Sequence, residues 1–197
     1  MQDELLRSLV WTDYRLALLF TVLIPLILLI WAFVQKVDSM VRLMIIYWRV
    51  SSLLAITVYI FIAGWPIAFI SGFLARLLIP ISLWFWVDIN DDIQDMQPRP
   101  LKLALTSWRW AITIYSILGA LVMIPSLPCA FAQGAIRTPS CQAWLEAPLV
   151  FKQMFHPGSR PEFLGFIGMM FLFFYVFYLS YFVLIRLGKQ GRSAMEQ

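Results

Sequence analysis

Long uncharged runs separated by short charged clusters set the pattern of this chain. A bilayer core of roughly 30 Å takes about 20 apolar helical residues, so charges serve as rulers for finding spans. The first run is 16–35, bounded by Arg15 and Lys36, with Pro25 in its middle. Proline removes a backbone donor there, a loss that neighbouring helices repair in membranes. The run exceeds the apolar core of a signal peptide, and Trp31-Ala32-Phe33 lacks a small-residue cleavage pattern. It reads as a retained span.

The tract 43–87 is almost all apolar, and its only charges are Arg49 and Arg76. As one helix it would extend about 68 Å, twice the hydrocarbon thickness, so it must fold back. Gly64-Trp65-Pro66 supplies the turn, glycine ending one helix in the left-handed conformation and proline opening the next. This predicts spans at 43–63 and 66–87 and leaves Arg76 near the bilayer centre. A four-span alternative draws 50–75 as one tilted helix, with Arg76 at the interface and 77–87 along the surface. That surface segment has no polar face of the kind an interfacial helix needs, which favours five spans. The others fall at 108–125, ended by Pro125 and Pro128, and at 163–185. The expected fold is an all-α, polytopic transmembrane bundle forming one domain over 1–197. An inner acidic loop lies at 88–107 and an outer loop at 126–162.

Composition agrees: 61% of residues are hydrophobic and 13% charged, with a mean hydropathy of +0.80. A soluble domain carries about a quarter charged residues, so a soluble enzyme and a disordered chain are both excluded. No nucleic-acid partner is expected, whereas membrane lipid and other integral membrane proteins are. With the C terminus inside, nine basic residues fall in inner segments and five in outer ones, Arg76 being the fifteenth. The basic tail, with Arg186, Lys189 and Arg192, contributes to the inner set. Cys129 and Cys141 then face an oxidising outer space. They can close a disulfide ring worth about 3 kcal/mol, or be two separate apolar thiols.

Reactive side chains are scarce. Asp88, Asp91, Asp92 and Asp95 recur at helical spacing, so a helix there would present several carboxylates together, a hard oxygen set for Mg²⁺ on a diphosphate. This stretch resembles the aspartate-rich loop of intramembrane prenyltransferases over about a dozen residues. The second aspartate motif of that family has no counterpart after Asp95, where only Glu146, Glu162 and Glu196 follow. The other reading is a solvated acidic cap or a docking surface for a basic partner. Arg76 is the second residue of interest, because a charge at membrane depth seeks a cavity, a partner or a carboxylate. No carboxylate lies within the predicted spans. Its partner would be a backbone carbonyl, another subunit or an anionic ligand or lipid, unless it snorkels to the headgroups.

The single His156 excludes intrachain bis-His haem, paired-His zinc sites and a Ser-His pair within the membrane. The last span carries ten aromatic residues, suited to lipid contact or to stacking on a pigment or quinone ring, and Gly165 and Gly168 suit close helix approach. Trp48-Arg49 and Trp108-Arg109, each followed by an Ala-Ile-Thr segment, form a weak internal echo, either a duplication or convergent interface anchors.

The segments Trp11-Thr12-Asp13-Tyr14-Arg15-Leu16, Ile81-Ser82-Leu83-Trp84-Phe85-Trp86-Val87-Asp88, Pro98-Arg99-Pro100-Leu101-Lys102 and Ser107-Trp108-Arg109-Trp110 resemble a small integral membrane family of cyanobacteria and plastids. That resemblance runs over most of the chain and implies a thylakoid or plasma membrane location, without bringing catalytic residues. The expected function is a non-enzymatic accessory or assembly factor of larger, photosynthetic membrane complexes, with no cofactor required. The alternatives are a small Mg-dependent prenyl-diphosphate or lipid-processing enzyme using the Asp88 to Asp95 cluster, and a transporter subunit using Arg76.

Overall fold

The computed structural model describes residues 2–132, 135–186 and 193, and among them every regular element is helical. Helix α1 (Gln2–Ala17) runs through a π-helical segment (Leu18–Leu23) directly into α2 (Ile24–Val34). Then come α3 (Asp38–Ile62), α4 (Ile67–Trp84), the short α5 (Val87–Asp95) and α6 (Pro100–Met123). Two 3₁₀ turns (Ile124–Ala130, Ala135–Arg137) lead to α7 (Pro139–Phe155), and α8 (Pro161–Tyr181) closes the bundle. Among the described residues, five stretches are long and apolar enough to cross a bilayer: Glu4–Val34, Asp38–Ile62, Ile67–Trp84, Pro100–Ala130 and Pro161–Ile185. The protein is a multi-pass, all-α membrane bundle. Lys189 and Arg192 of the basic tail lie outside the described residues.

The turn after α3 is a Schellman motif. Gly64 takes φ +68°, its N–H donates to Phe61 O at 2.9 Å, and Trp65 N–H donates to Ile60 O at 3.3 Å. Glycine fits because a Cβ is penalised in the left-handed region. α3 is the central post, packing against α2, α4 and α8 and, at its ends, α5 and α7. Two cores result. One surrounds Tyr47, Leu83, Ile89 and Trp108 at the α5 end. The other surrounds Phe61, Phe69, Trp144 and the cysteines at the opposite end.

Pro25 explains the π segment. It offers no N–H to Thr21, four residues earlier, and its ring crowds that turn. The ladder widens, so that Ile24 N–H reaches back to Leu19 O. The neighbouring carbonyls take donors from other helices: Tyr47 Oη donates to Thr21 O at 2.8 Å, and Trp108 Nε1 to Phe20 O at 2.9 Å. In lipid no water can supply these bonds, so the proline dictates where α3 and α6 must place a tyrosine and a tryptophan.

The stretch 126–162, expected as a loop, is mostly helical. Cys129 and Cys141 are disulfide-bonded with Cα atoms 6.0 Å apart, and Trp144 Nε1 donates to Ser126 Oγ at 2.9 Å. Together they fold this stretch as a cap over one end of the bundle.

Gly165 and Gly168 hold α8 against α3. A Cβ on Gly165 would fall onto Ala63 Cβ, and one on Gly168 would sit 3.0 Å from Ile60 and Tyr59 side-chain atoms. Gly165→Ala is therefore expected to cost about 1–3 kcal/mol by overpacking. Moving the methyl instead, in Ala63→Gly/Gly165→Ala, should recover most of it, as read by thermal unfolding in detergent.

Candidate functional site

α4 places Arg76 at its tenth position of 18, within the span and only 7% exposed. The side chain fits because Gly119 of α6 presents no side chain, a Cβ there falling onto Arg76 Nη1. Its partner is Asp13 of α1. Nη1 donates to Asp13 Oδ1 at 3.0 Å, and Nη2 forms the second arm of the fork with Oδ2. Tyr115 Oη lies 2.9 Å from Asp13 Oδ1 and 3.0 Å from Asp13 O. The Tyr115 ring faces the guanidinium with its centroid 5.8 Å from Arg76 Cζ. This corrects the sequence expectation that Arg76 has no intrachain carboxylate. The first helix does not stop at a boundary near Leu16 but continues back to Gln2, carrying Asp13 into the bundle.

Chemically the trio is closed. The carboxylate takes a two-point guanidinium fork and a phenol, and both charges cancel where they stand. Its output is geometry: α1, α4 and α6 are locked in one register.

A second buried guanidinium stands near the α5 end. Arg109, 4% exposed, donates to Leu83 O at 3.0 Å and to Asn90 Oδ1 at 2.6 Å. Its Cζ lies 4.1 Å from the Trp84 ring centroid, a cation–π contact that replaces a counter-ion. Arg109 thereby ties α6 to the end of α4 and the start of α5.

α5 carries the acidic cluster. Ile89 and Ile93 are buried beneath it, and Lys102 Nζ donates to Gln94 O and Met96 O at 2.7 and 2.6 Å, closing its C-terminal end. Asp92 accepts from Ser39 Oγ at 2.5 Å and Asp88 from Ser193 Oγ at 2.9 Å. Asp91, Asp92 and Asp95 are exposed. Among the described residues no three His, Cys, Asp or Glu side chains gather closely enough to hold a metal ion, so helical spacing places these four carboxylates on one short helix without converging them. At the opposite end, His156 Nε2 lies 3.0 Å from Tyr59 Oη, and the two cysteines are spent in their disulfide.

The family model described as Protein of unknown function (DUF3177) matches residues 7–195. The chain belongs to this family. No curated protein and no solved structure matches it. The DUF3177 match takes in the Asp13–Arg76–Tyr115 trio, α5 and the disulfide alike.

In this DUF3177 chain, sequence reasoning missed Asp13, Tyr115 and the burial of Arg109. One signal was legible: Tyr115 and Gly119 lie four residues apart, on the same face of α6. A phenol beside a gap suits a buried guanidinium. Asp13, in contrast, stands 63 residues from Arg76, with nothing local to pair them.

Breaking a buried pair on one side is expected to cost about 3–5 kcal/mol, because the other charge is left alone. Arg76→Met should lower the thermal midpoint in detergent strongly. The double change Asp13→Leu/Arg76→Met should recover most of that loss while loosening α1, read as faster cleavage or hydrogen exchange of that helix.

Glu146 of α7, outside the membrane-crossing stretches, is a titratable tie to α1. The hydrogen bond from Trp11 Nε1 at 3.0 Å, reinforced by Arg7 Nε at 2.7 Å, holds the Glu146 carboxyl below its ordinary value. Its contribution is complete above the ordinary carboxylate pKa of about 4.5 and is lost as the pH falls through the lowered folded value. Unfolding midpoints compared at neutral and strongly acidic pH should therefore differ less in Glu146→Gln than in the parent.

Proposed function

We propose that this DUF3177 protein is a non-enzymatic accessory protein of larger membrane complexes, docking a basic segment of a partner on α5. The observation that carries this reading is the fixed presentation of α5. Two isoleucines anchor one side and a lysine closes its end, so Asp91 and Asp95 point to solvent from a rigid platform. Like-charge repulsion disfavours such a surface against anionic headgroups, and complementarity favours a cationic protein surface. The resemblance to cyanobacterial and plastid proteins makes photosynthetic complexes of the thylakoid or plasma membrane the first partners to examine. Transport through Arg76 draws no support from a guanidinium committed to Asp13, nor does Mg²⁺ chemistry from carboxylates that do not converge.

Asp91→Lys/Asp95→Lys tests the proposal, since neither position is buried. In a mild-detergent pull-down from native membrane, co-purifying membrane proteins should fall about tenfold with the thermal midpoint unchanged. Undiminished recovery would dismiss α5 as the docking surface.

A further inference from the structure

Beyond that reading, the seam between α3 and α8 carries its own feature. The two helices touch closely at Gly165 and Gly168, Tyr175 Oη donates to Val50 O at 3.4 Å farther along, and a partly open groove of about 1050 Å³ runs beside the seam. Ala55, Ile56, Phe171 and Phe174 line its middle, with Arg49 at one end and the Tyr59–His156 pair at the other. Arg49 is exposed, and its one described side-chain partner is Tyr178 Oη at 3.5 Å. It thus differs from Arg76 and Arg109, whose guanidinium charges are answered inside the protein.

The depth of Arg49 can be read from helix register. Thr57 of α3 bonds Ser71 of α4 at 2.9 Å. Arg49 stands eight residues from that level, about 12 Å, and Trp84 at the end of α4 stands thirteen residues from it, about 20 Å. Arg49 therefore roots about 8 Å inside the end of α4, where a guanidinium can snorkel to the headgroup layer. From Arg49 to Tyr59 the groove follows ten residues, about 15 Å, and so passes the middle of a hydrocarbon core of roughly 30 Å, within reach of an acyl chain that starts at the headgroup layer. One end is a cation at headgroup reach, the Tyr59–His156 pair stands at the other, and the lining between them is mostly apolar.

We infer that this groove is a binding site for one anionic glycerolipid, its phosphate on Arg49 and Tyr178 and one acyl chain along the α3–α8 seam. Guanidinium recognises phosphate through parallel N–H donors, whereas a zwitterionic headgroup offsets the same attraction with its own cation.

The test uses the full chain purified in mild detergent and exchanged into phosphatidylglycerol or chain-matched phosphatidylcholine, with bound lipid read by native mass spectrometry. The parent should keep one phosphatidylglycerol, about fivefold over phosphatidylcholine. Arg49→Gln should erase the preference and Arg49→Lys retain most of it. Ala55→Trp, which fills the groove but leaves Arg49, should reduce retention of both lipids. Equal retention by the parent overturns the inference, as does a preference surviving Arg49→Gln. So does an Ala55→Trp protein that sheds a co-purified polypeptide rather than lipid. Intact thermal unfolding of each variant separates these outcomes from misfolding.

Discussion

In lipid, apolar helices gain little from meeting one another, because the surrounding chains are as apolar as their own side chains. A bundle so rich in Leu, Ile and Phe could slide or rotate its helices at small cost. The Asp13–Arg76 fork removes that freedom. It can close in one relative placement of α1 and α4, and Tyr115 adds α6 to the same point. Replacing a buried pair with apolar groups is often energetically neutral, so the trio's value lies in selecting one arrangement among several of similar packing energy.

The same rule governs the backbone. Pro25 disturbs one turn of the first helix, and α3 and α6 answer with Tyr47 and Trp108. The carbonyl of Leu83 likewise receives Arg109 near a helix end. These polar groups within the spans act as addressed connections between particular helices, and the apolar residues fill the space those connections define.

Much of the architecture was legible in the sequence because lipid imposes a simple ruler. The five-span count, the Gly64 turn and the close approach at Gly165 and Gly168 follow from span length, left-handed backbone geometry and side-chain size. The trio was hidden by that ruler itself: when every charge marks a boundary, Asp13 is assigned to the outside before its partner is considered. Arg109 was hidden likewise, at the edge of the expected 108–125 span, although α6 starts at Pro100 and carries it into the interior. The stretch 126–162 reads as a loop because its prolines and polar residues break span periodicity, yet Pro125 and Pro139 sit in first turns, where no amide donor is needed, and Pro128 and Pro148 are accommodated inside helices.

The separation between Asp13 and Arg76 also has a consequence in time. A chain enters the membrane from its N terminus, so the first helix meets lipid while its counter-charge is still 63 residues away. An isolated carboxylate at depth costs about 2.5–3.5 kcal/mol or more, which holds Asp13 at the surface and α1 in a shallow position until α4 is in place. Deep seating of the first helix is thus a late event in biogenesis, and the arrival of Arg76 and Tyr115 drives it.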